Sequence, residues 1–184
     1  GVEICEDLWV PIPPSSHQAL YGATLLLNLS ASSETSGKAH YRRQLVAAHS
    51  ARCMAAYVYV SAGIGESTQD CVFGGDGIIC ENGSIFAQTE RFARENQMIF
   101  ADIDLDILSN ERRKHTTFLS HLQKTDLPHP YRVIPFAMEE ATSLEDWSRP
   151  LSAAPFHPTE ENLDEFCGDI LSIQTVALAR RMEH

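Results

Sequence analysis

Residues 23–63 read ATLLLNLSASSETSGKAHYRRQLVAAHSARCMAAYVYVSAG, and their pattern decides the fold class. The run ATLLLNLS, Ala23–Ser30, is nearly continuous in apolar residues and has the length of a strand. Such a run is the mark of a strand covered on both faces. AAYVYVSAG, Ala55–Gly63, repeats the pattern. Between them the polar loop SASSETSG leads into a helix expected from about Lys38 to Met54, with Tyr41, Leu45 and Ala48 on one face. Strand, helix and strand in this order predict a βαβ unit and an α/β core.

Upstream, Val2–Cys5 reads as a short buried strand, and Pro11, Pro13 and Pro14 forbid regular structure just after it. Ser15 or Ser16 is placed to cap a short helix over His17–Tyr21, which Gly22 would end. Downstream, DCVFGGDGIICENGSIFAQTE, residues 70–90, holds short strands with Asn82-Gly83 as a hairpin turn. Its GGDG lacks the Lys-Ser/Thr of a phosphate loop and reads as a turn. QMIFADIDLDIL, residues 97–108, predicts a last strand, with Asp104 capping a helix that runs through Arg113. From His115 to about Pro158 periodicity is lost and six prolines accumulate, so a linker or extended arm is expected. A final helix from near Thr159 would align Leu163, Phe166, Ile170, Ile173 and Ala177 in one stripe.

The 184 residues suffice for one domain with a real core, or one domain and an appendage. A formal net charge of −11 argues against nucleic acid or an anionic membrane as partner, since neither would find a basic stripe. No apolar run approaches the roughly 20 residues of a membrane helix, and no stretch reads as a signal peptide. The five cysteines form no CxxC pair, so neither a disulfide framework nor a metal site is expected, and a reducing cytoplasm fits. The sequons at Asn28 and Asn82 fall on an expected strand and turn, and both read as chance matches.

Chemistry centres on GVEICEDLWVPIPPS, residues 1–15. By residue type Cys5 is a small core hydrophobe. Its place argues otherwise, because a strand stopping in a sharp turn at Cys presents sulfur at the sheet edge beside backbone N–H groups. Glu6 and Asp7 would disfavour a thiolate, so an activating cation or base must come from elsewhere.

These residues, with LLLNLSASSETSGKAHYRRQLVAAHSAR and AYVYVSAGIGESTQDCVFGGDGIICENGSIFAQTERF, resemble the glutamine amidotransferase domain of the glutamine-dependent NAD synthetases. That domain belongs to the nitrilase superfamily. The resemblance runs from Gly1 to about Phe118 and resumes at PFHPTEENLDEFCGDILSIQTVALARRM, which is similar to the connection into a synthetase domain. It implies one part of an α-β-β-α sandwich, with a C-terminal extended arm and helix. The organisation it suggests is residues 1–118 as the second half of a glutaminase domain, 119–158 as a proline-rich linker, and 159–184 as a connector helix.

In that family a Cys–Glu–Lys triad attacks the side-chain amide of glutamine and forms a glutamyl thioester. The ammonia released is used by a synthetase domain to amidate ATP-activated deamido-NAD. Cys5 matches the nucleophile, Glu6 a carboxylate near the substrate amino group, and Ser32 and Lys38 the positions holding the glutamine backbone groups. A hydroxyl and a cation suit a carboxylate, and a carboxylate suits an ammonium. Trp9 is expected to wall the pocket, and Glu66 has no assigned role. The family's catalytic Glu and Lys lie upstream of the Cys strand and match no residue here, so this segment alone is expected to be inactive. The resemblance implies no cofactor or metal for the glutaminase step, and ATP with Mg for a synthetase domain outside this chain. The expected partners are glutamine, the missing N-terminal half, the synthetase domain of the same protein, and further copies in a cytoplasmic homo-oligomer.

Two other readings stand beside this one. A stand-alone amidase or carbamoylase would share the fold but would not need the connector-like tail. A catalytically inactive assembly domain would keep Cys5 as a structural thiol that a glutamine-like electrophile does not label.

Overall fold

The computed structural model describes residues 1–66, 70–124, 131–137, 149, 153 and 162–183. The chain divides into two units, Gly1–Arg149 and Pro150–His184.

The first unit is built on one five-stranded sheet in the order β1 (Val2–Ile4), β2 (Leu25–Ser30), β3 (Ala56–Ser61), β4 (Gly77–Glu81) and β5 (Ser84–Gln88). β1, β2 and β3 run parallel, with Ile4 opposite Leu29 and Leu29 opposite Val60. The βαβ unit expected at residues 23–63 is therefore present, crossing from β2 to β3 through helix α2 (Lys38–Cys53). β4 and β5 add antiparallel, joined by Asn82-Gly83, both in the left-handed region at φ 46° and 92°. A two-residue hairpin turn asks for that conformation at both positions, which is why the dipeptide is legible from sequence.

Helix α1 (Pro14–Leu20) starts three residues earlier than expected, with proline in its first turn, where a missing N–H costs nothing. Gly22, at φ 104°, ends it. Ser15 does not cap it: the hydroxyl lies 2.7 Å from His49 Nε2 inside the protein. The helix after Asp104, α3 (Leu105–Lys114), is capped as expected, with Asp104 Oδ1 accepting from the Ile107 N–H at 2.8 Å. From α3, Arg112 reaches back and donates to the carbonyls of Ala19, Ala23, Cys53 and Met54. It thereby satisfies open C-terminal carbonyls of α1 and α2 together.

The core between helices and sheet is Leu8, Leu26, Val46, Tyr57, Tyr59 and Ile78, all but excluded from water. Each such side chain contributes about 1.5–3 kcal/mol. The other face of the sheet differs. Val2, Ile4, Leu25, Leu29 and Val60 are exposed, so the parallel strands are covered on one face only among the described residues. The short strand at Val2–Cys5 is accordingly not buried throughout. Glu3 points to the core while Val2 and Ile4 point away, and the strand stops at Ile4.

Three further expectations are corrected. α2 does not bury Tyr41 and Ala48; its inward face is Ala39, Arg42, Val46, His49, Ser50 and Cys53. Arg42, on that inward face, is fully buried. Residues 97–104 are not a strand. Gln97 exchanges hydrogen bonds with Glu90, and the Asp104 N–H goes to the Glu81 carboxylate, so these groups serve side-chain and turn contacts instead of a sheet ladder. Helix α4 (Thr116–Lys124) forms where periodicity seemed lost; the stretch lacks proline, and Phe118 lies under the Arg112 guanidinium, 5.2 Å from it. Most of the expected linker at 119–158 lies outside the described residues. The second unit contributes α5 (Leu163–Met182), starting a few residues after Thr159.

Candidate active site

β1 ends at Ile4, and the chain turns at once into a short 3₁₀ turn, Cys5–Trp9. Cys5 itself takes φ 53°, a left-handed conformation that a residue with a Cβ adopts only when its surroundings compel it. Asp7 helps to compel it, since its Oδ2 accepts from the Ile4 N–H at 2.9 Å and closes the turn. From β2, Asn28 donates to the Cys5 carbonyl at 3.4 Å, and Ser30 Oγ donates to Asn28 Oδ1 at 2.6 Å. The Ala31 N–H points at Cys5 Sγ from 3.5 Å. The sulfur is thus held, half-buried, beyond the ends of the parallel strands, where α/β sheets place their ligands.

A cavity of about 350 Å³ opens beside it, lined by Cys5, Glu6, Trp9, Ala31, Ser32, Ser33 and Lys38. All five side chains singled out from sequence, Cys5, Glu6, Trp9, Ser32 and Lys38, meet in this space. Ser32 is buried and Glu6 exposed at the mouth. Lys38 Nζ donates to the Ser33 carbonyl at 2.7 Å and sits 5.3 Å from the centre of the Trp9 ring. Trp9 leans on Tyr41, with ring centres 5.6 Å apart. The indole is therefore a wall and also a π-face that steers the ammonium. The cavity offers one thiol, one carboxylate, one ammonium and two hydroxyls, a set suited to a zwitterion with a reactive carbonyl. Glu66 lines a separate open depression on the other side of Cys5.

Two buried polar clusters support this site, and sequence reasoning missed both. Beneath β1, Glu3 accepts from the Tyr57 hydroxyl and, at 2.9 Å, from the Ser15 N–H. Ser15 continues the chain to His49, which also lies 3.5 Å from Cys53 Sγ. Burial holds His49 below its ordinary value, opposed by Glu3 and assisted by Arg52. Burial also pushes the Cys53 thiol up to about 11, leaving it inert as a nucleophile. Beneath the loop that carries Ser32 and Lys38, Arg42 pairs with Asp76 and with Glu34, the latter at 2.7 Å. Arg91 joins Glu34 from the other side at 2.8 Å. A larger, mostly apolar cavity of about 460 Å³ lies near Leu20, Cys53, Met54 and Phe118, with Arg52 and His121 also in its lining.

Residues 1–113 match the family model described as carbon-nitrogen hydrolase, more than half of the chain. The chain belongs to that family. Its sequence is 41% identical over 183 residues to glutamine-dependent NAD(+) synthetase of Mycobacterium leprae, covering 98% of this chain and 27% of that protein. The rat protein of the same name is 30% identical over 164 residues, covering 88% of this chain and 22% of its own length. The chain thus spans roughly a quarter of the curated relatives it matches. Among solved structures, Saccharomyces cerevisiae Nit3, a member of the nitrilase superfamily, superposes with a TM-score of 0.51. It covers 62% of this chain and 40% of its own at 21% identity, a likeness of fold.

Proposed function

We propose that this chain carries the nucleophile and the substrate-recognition wall of a glutaminase, which supplies ammonia to a glutamine-dependent NAD synthetase. The observation that supports it most is the single cavity uniting the strained Cys5 with Glu6, Ser32 and Lys38. Lys38 and Ser32 would receive the α-carboxylate of glutamine and Glu6 its α-ammonium, leaving the side-chain amide to reach Cys5. Fixing both ends of the amino acid converts attack into a near-intramolecular step.

Sγ adds to the amide carbonyl carbon and the carbonyl electrons move to oxygen, giving a tetrahedral oxyanion. Collapse breaks the C–N bond, and the departing nitrogen takes a proton and leaves as ammonia. The glutamyl thioester is then hydrolysed by water to glutamate, which restores the thiol. The base that takes the thiol proton and the cation that faces the oxyanion are assigned to the Glu and Lys that the family carries upstream of the Cys strand. ATP and magnesium belong to ammonia's later use on the synthetase domain, and no step here runs through them. A cytoplasmic homo-oligomer is part of the same proposal.

In the full-length protein, Cys5→Ala should abolish glutamine-driven synthesis while synthesis from added ammonia persists. Loss of both activities in a folded variant would defeat this division of labour. Ammonia release measured over a panel of small amides should single out glutamine; preference for another amide or a carbamoyl compound would support the stand-alone amidase instead.

A further inference from the structure

The loop Ser30–Gly37, SASSETSG, carries one binding residue, Ser32, and delivers the next, Lys38, at the start of α2. Nothing in its composition can hold it by hydrophobic burial, because its only apolar side chain is Ala31. Yet its shape must be exact to within a fraction of an ångström if a hydroxyl and an ammonium are to receive one carboxylate.

What holds it is charge. The side chain of Glu34, at the centre of the loop, is 6% exposed, and its two oxygens go to two arginines from different elements. Arg42 approaches from α2 and Arg91 from the segment after β5. Arg42 is itself gripped on its far side by Asp76, which is 1% exposed and precedes β4. Two carboxylates and two guanidiniums balance to zero, so the set tolerates burial. The guanidinium of Arg42 spans both carboxylates, one amino nitrogen toward Asp76 and the other toward Glu34, a reach that the single ammonium of a lysine lacks. The backbone closes the same clasp, with the Glu34 N–H donating to the Val72 carbonyl at 2.6 Å. Gly74 lies so near the carboxylate that a Cβ there would stand 2.8 Å from Glu34 Oε1.

We infer that Glu34, Arg42 and Asp76 are positioning residues for substrate recognition, which set the reach of Ser32 and Lys38 without touching substrate. The inference rests on the glutaminase reading above. It places a determinant of glutamine affinity in a buried ion-pair set behind the cavity, with the arginine of α2 as its hub.

The test is steady-state kinetics of the full-length protein with Glu34→Gln, which keeps shape and removes charge. Because KM does not depend on how much of the enzyme is folded, it separates positioning from stability. The expected result is a KM for glutamine raised about tenfold with kcat changed less than about threefold. Combining Glu34→Gln with Lys38→Ala should raise KM no further than Lys38→Ala alone, since both act on one contact. If Glu34→Gln fails to fold, Gly74→Ala presses on the same carboxylate without removing charge and should show the same split. Arg42→Lys, which keeps charge but loses the fork, should shift KM in the same direction. Wild-type kinetics with an unchanged KM in these variants, or additive effects in the double variant, would overturn the inference alone. A wild-type protein that does not hydrolyse glutamine would overturn the functional reading and the inference with it.

Discussion

The two buried polar clusters behind the cavity do different jobs by different means. The one under β1 is built from hydrogen bonds around a single carboxylate, Glu3, and fixes the strand that presents Cys5. The one under the loop is built from paired charges around Arg42 and holds the loop that carries Ser32 and leads to Lys38. A strand already has a ladder to align it and needs only its inward side chain satisfied. A loop whose only apolar side chain is Ala31 has no such ladder, and charge pairing substitutes for one. Under the glutaminase proposal, the first cluster would govern rate and the second affinity.

Glu3→Leu should have the largest effect. It strands the Tyr57 hydroxyl and the Ser15 N–H, and each orphaned buried donor costs about 1–3 kcal/mol. We expect a loss of about 2–5 kcal/mol in the unfolding of this domain by denaturant. The surviving folded enzyme should have reduced kcat and a nearly unchanged KM. A raised KM instead would mean that the two clusters are not separate devices.

Lys38→Ala comes next. Losing a charged hydrogen-bond partner costs about 1.5–3 kcal/mol, so KM for glutamine should rise about tenfold or more while the thioester step slows little. An unchanged KM would remove Lys38 from the site.

The smallest effect is on stability against pH, and it bears on the first cluster, to which His49 belongs. The unfolded imidazole of His49 takes a proton near its ordinary value of 6.5, while the buried one resists. Protons then favour the unfolded state, and stability should fall as pH drops below 6.5, by up to about 1.4 kcal/mol per unit. His49→Gln should flatten that limb in a pH series of melting temperatures. At the alkaline end, Cys53 and Cys80 are pushed up to about 11 by burial, whereas unfolded thiols ionise near 9.0. Stability should therefore decline between those values, and Cys53→Ala should remove part of the decline. A flat profile for the wild type would show that His49 is solvated.

How legible this was from sequence follows the same division. The βαβ core, the Asn82-Gly83 hairpin and the Asp104 cap are local signals, set by residues within a few positions of each other, and all three are present. The five residues singled out for the cavity were found through spaced motifs, and they line one space. The clusters behind them were not legible. Arg42 meets Asp76, and His49 meets Ser15, across 34 residues each, and no periodicity announces such pairs. A helix whose inward face holds arginine, histidine and serine does not announce that face by hydrophobicity, and the face that Tyr41, Leu45 and Ala48 share is not the inward one. The extended stretch at 97–104 failed for a related reason. Gln97, Met98 and Ile99 instead gather with Val58, Val60 and Ile79 around one depression and pair with no strand edge.

The left-handed backbone at Cys5 bears on how such a protein would change if its chemistry were abandoned. Holding a residue with a Cβ there costs about 1–2 kcal/mol, and glycine escapes most of that while adding about 0.5–1 kcal/mol of chain entropy to be lost. Cys5→Gly should therefore fold as well as Cys5→Ala, or slightly better. In a lineage released from selection for the thiol, neutral drift would favour glycine at this position over the other small residues. Glycine at the end of this strand in a gene copy would then mark lost amidase chemistry with the fold intact.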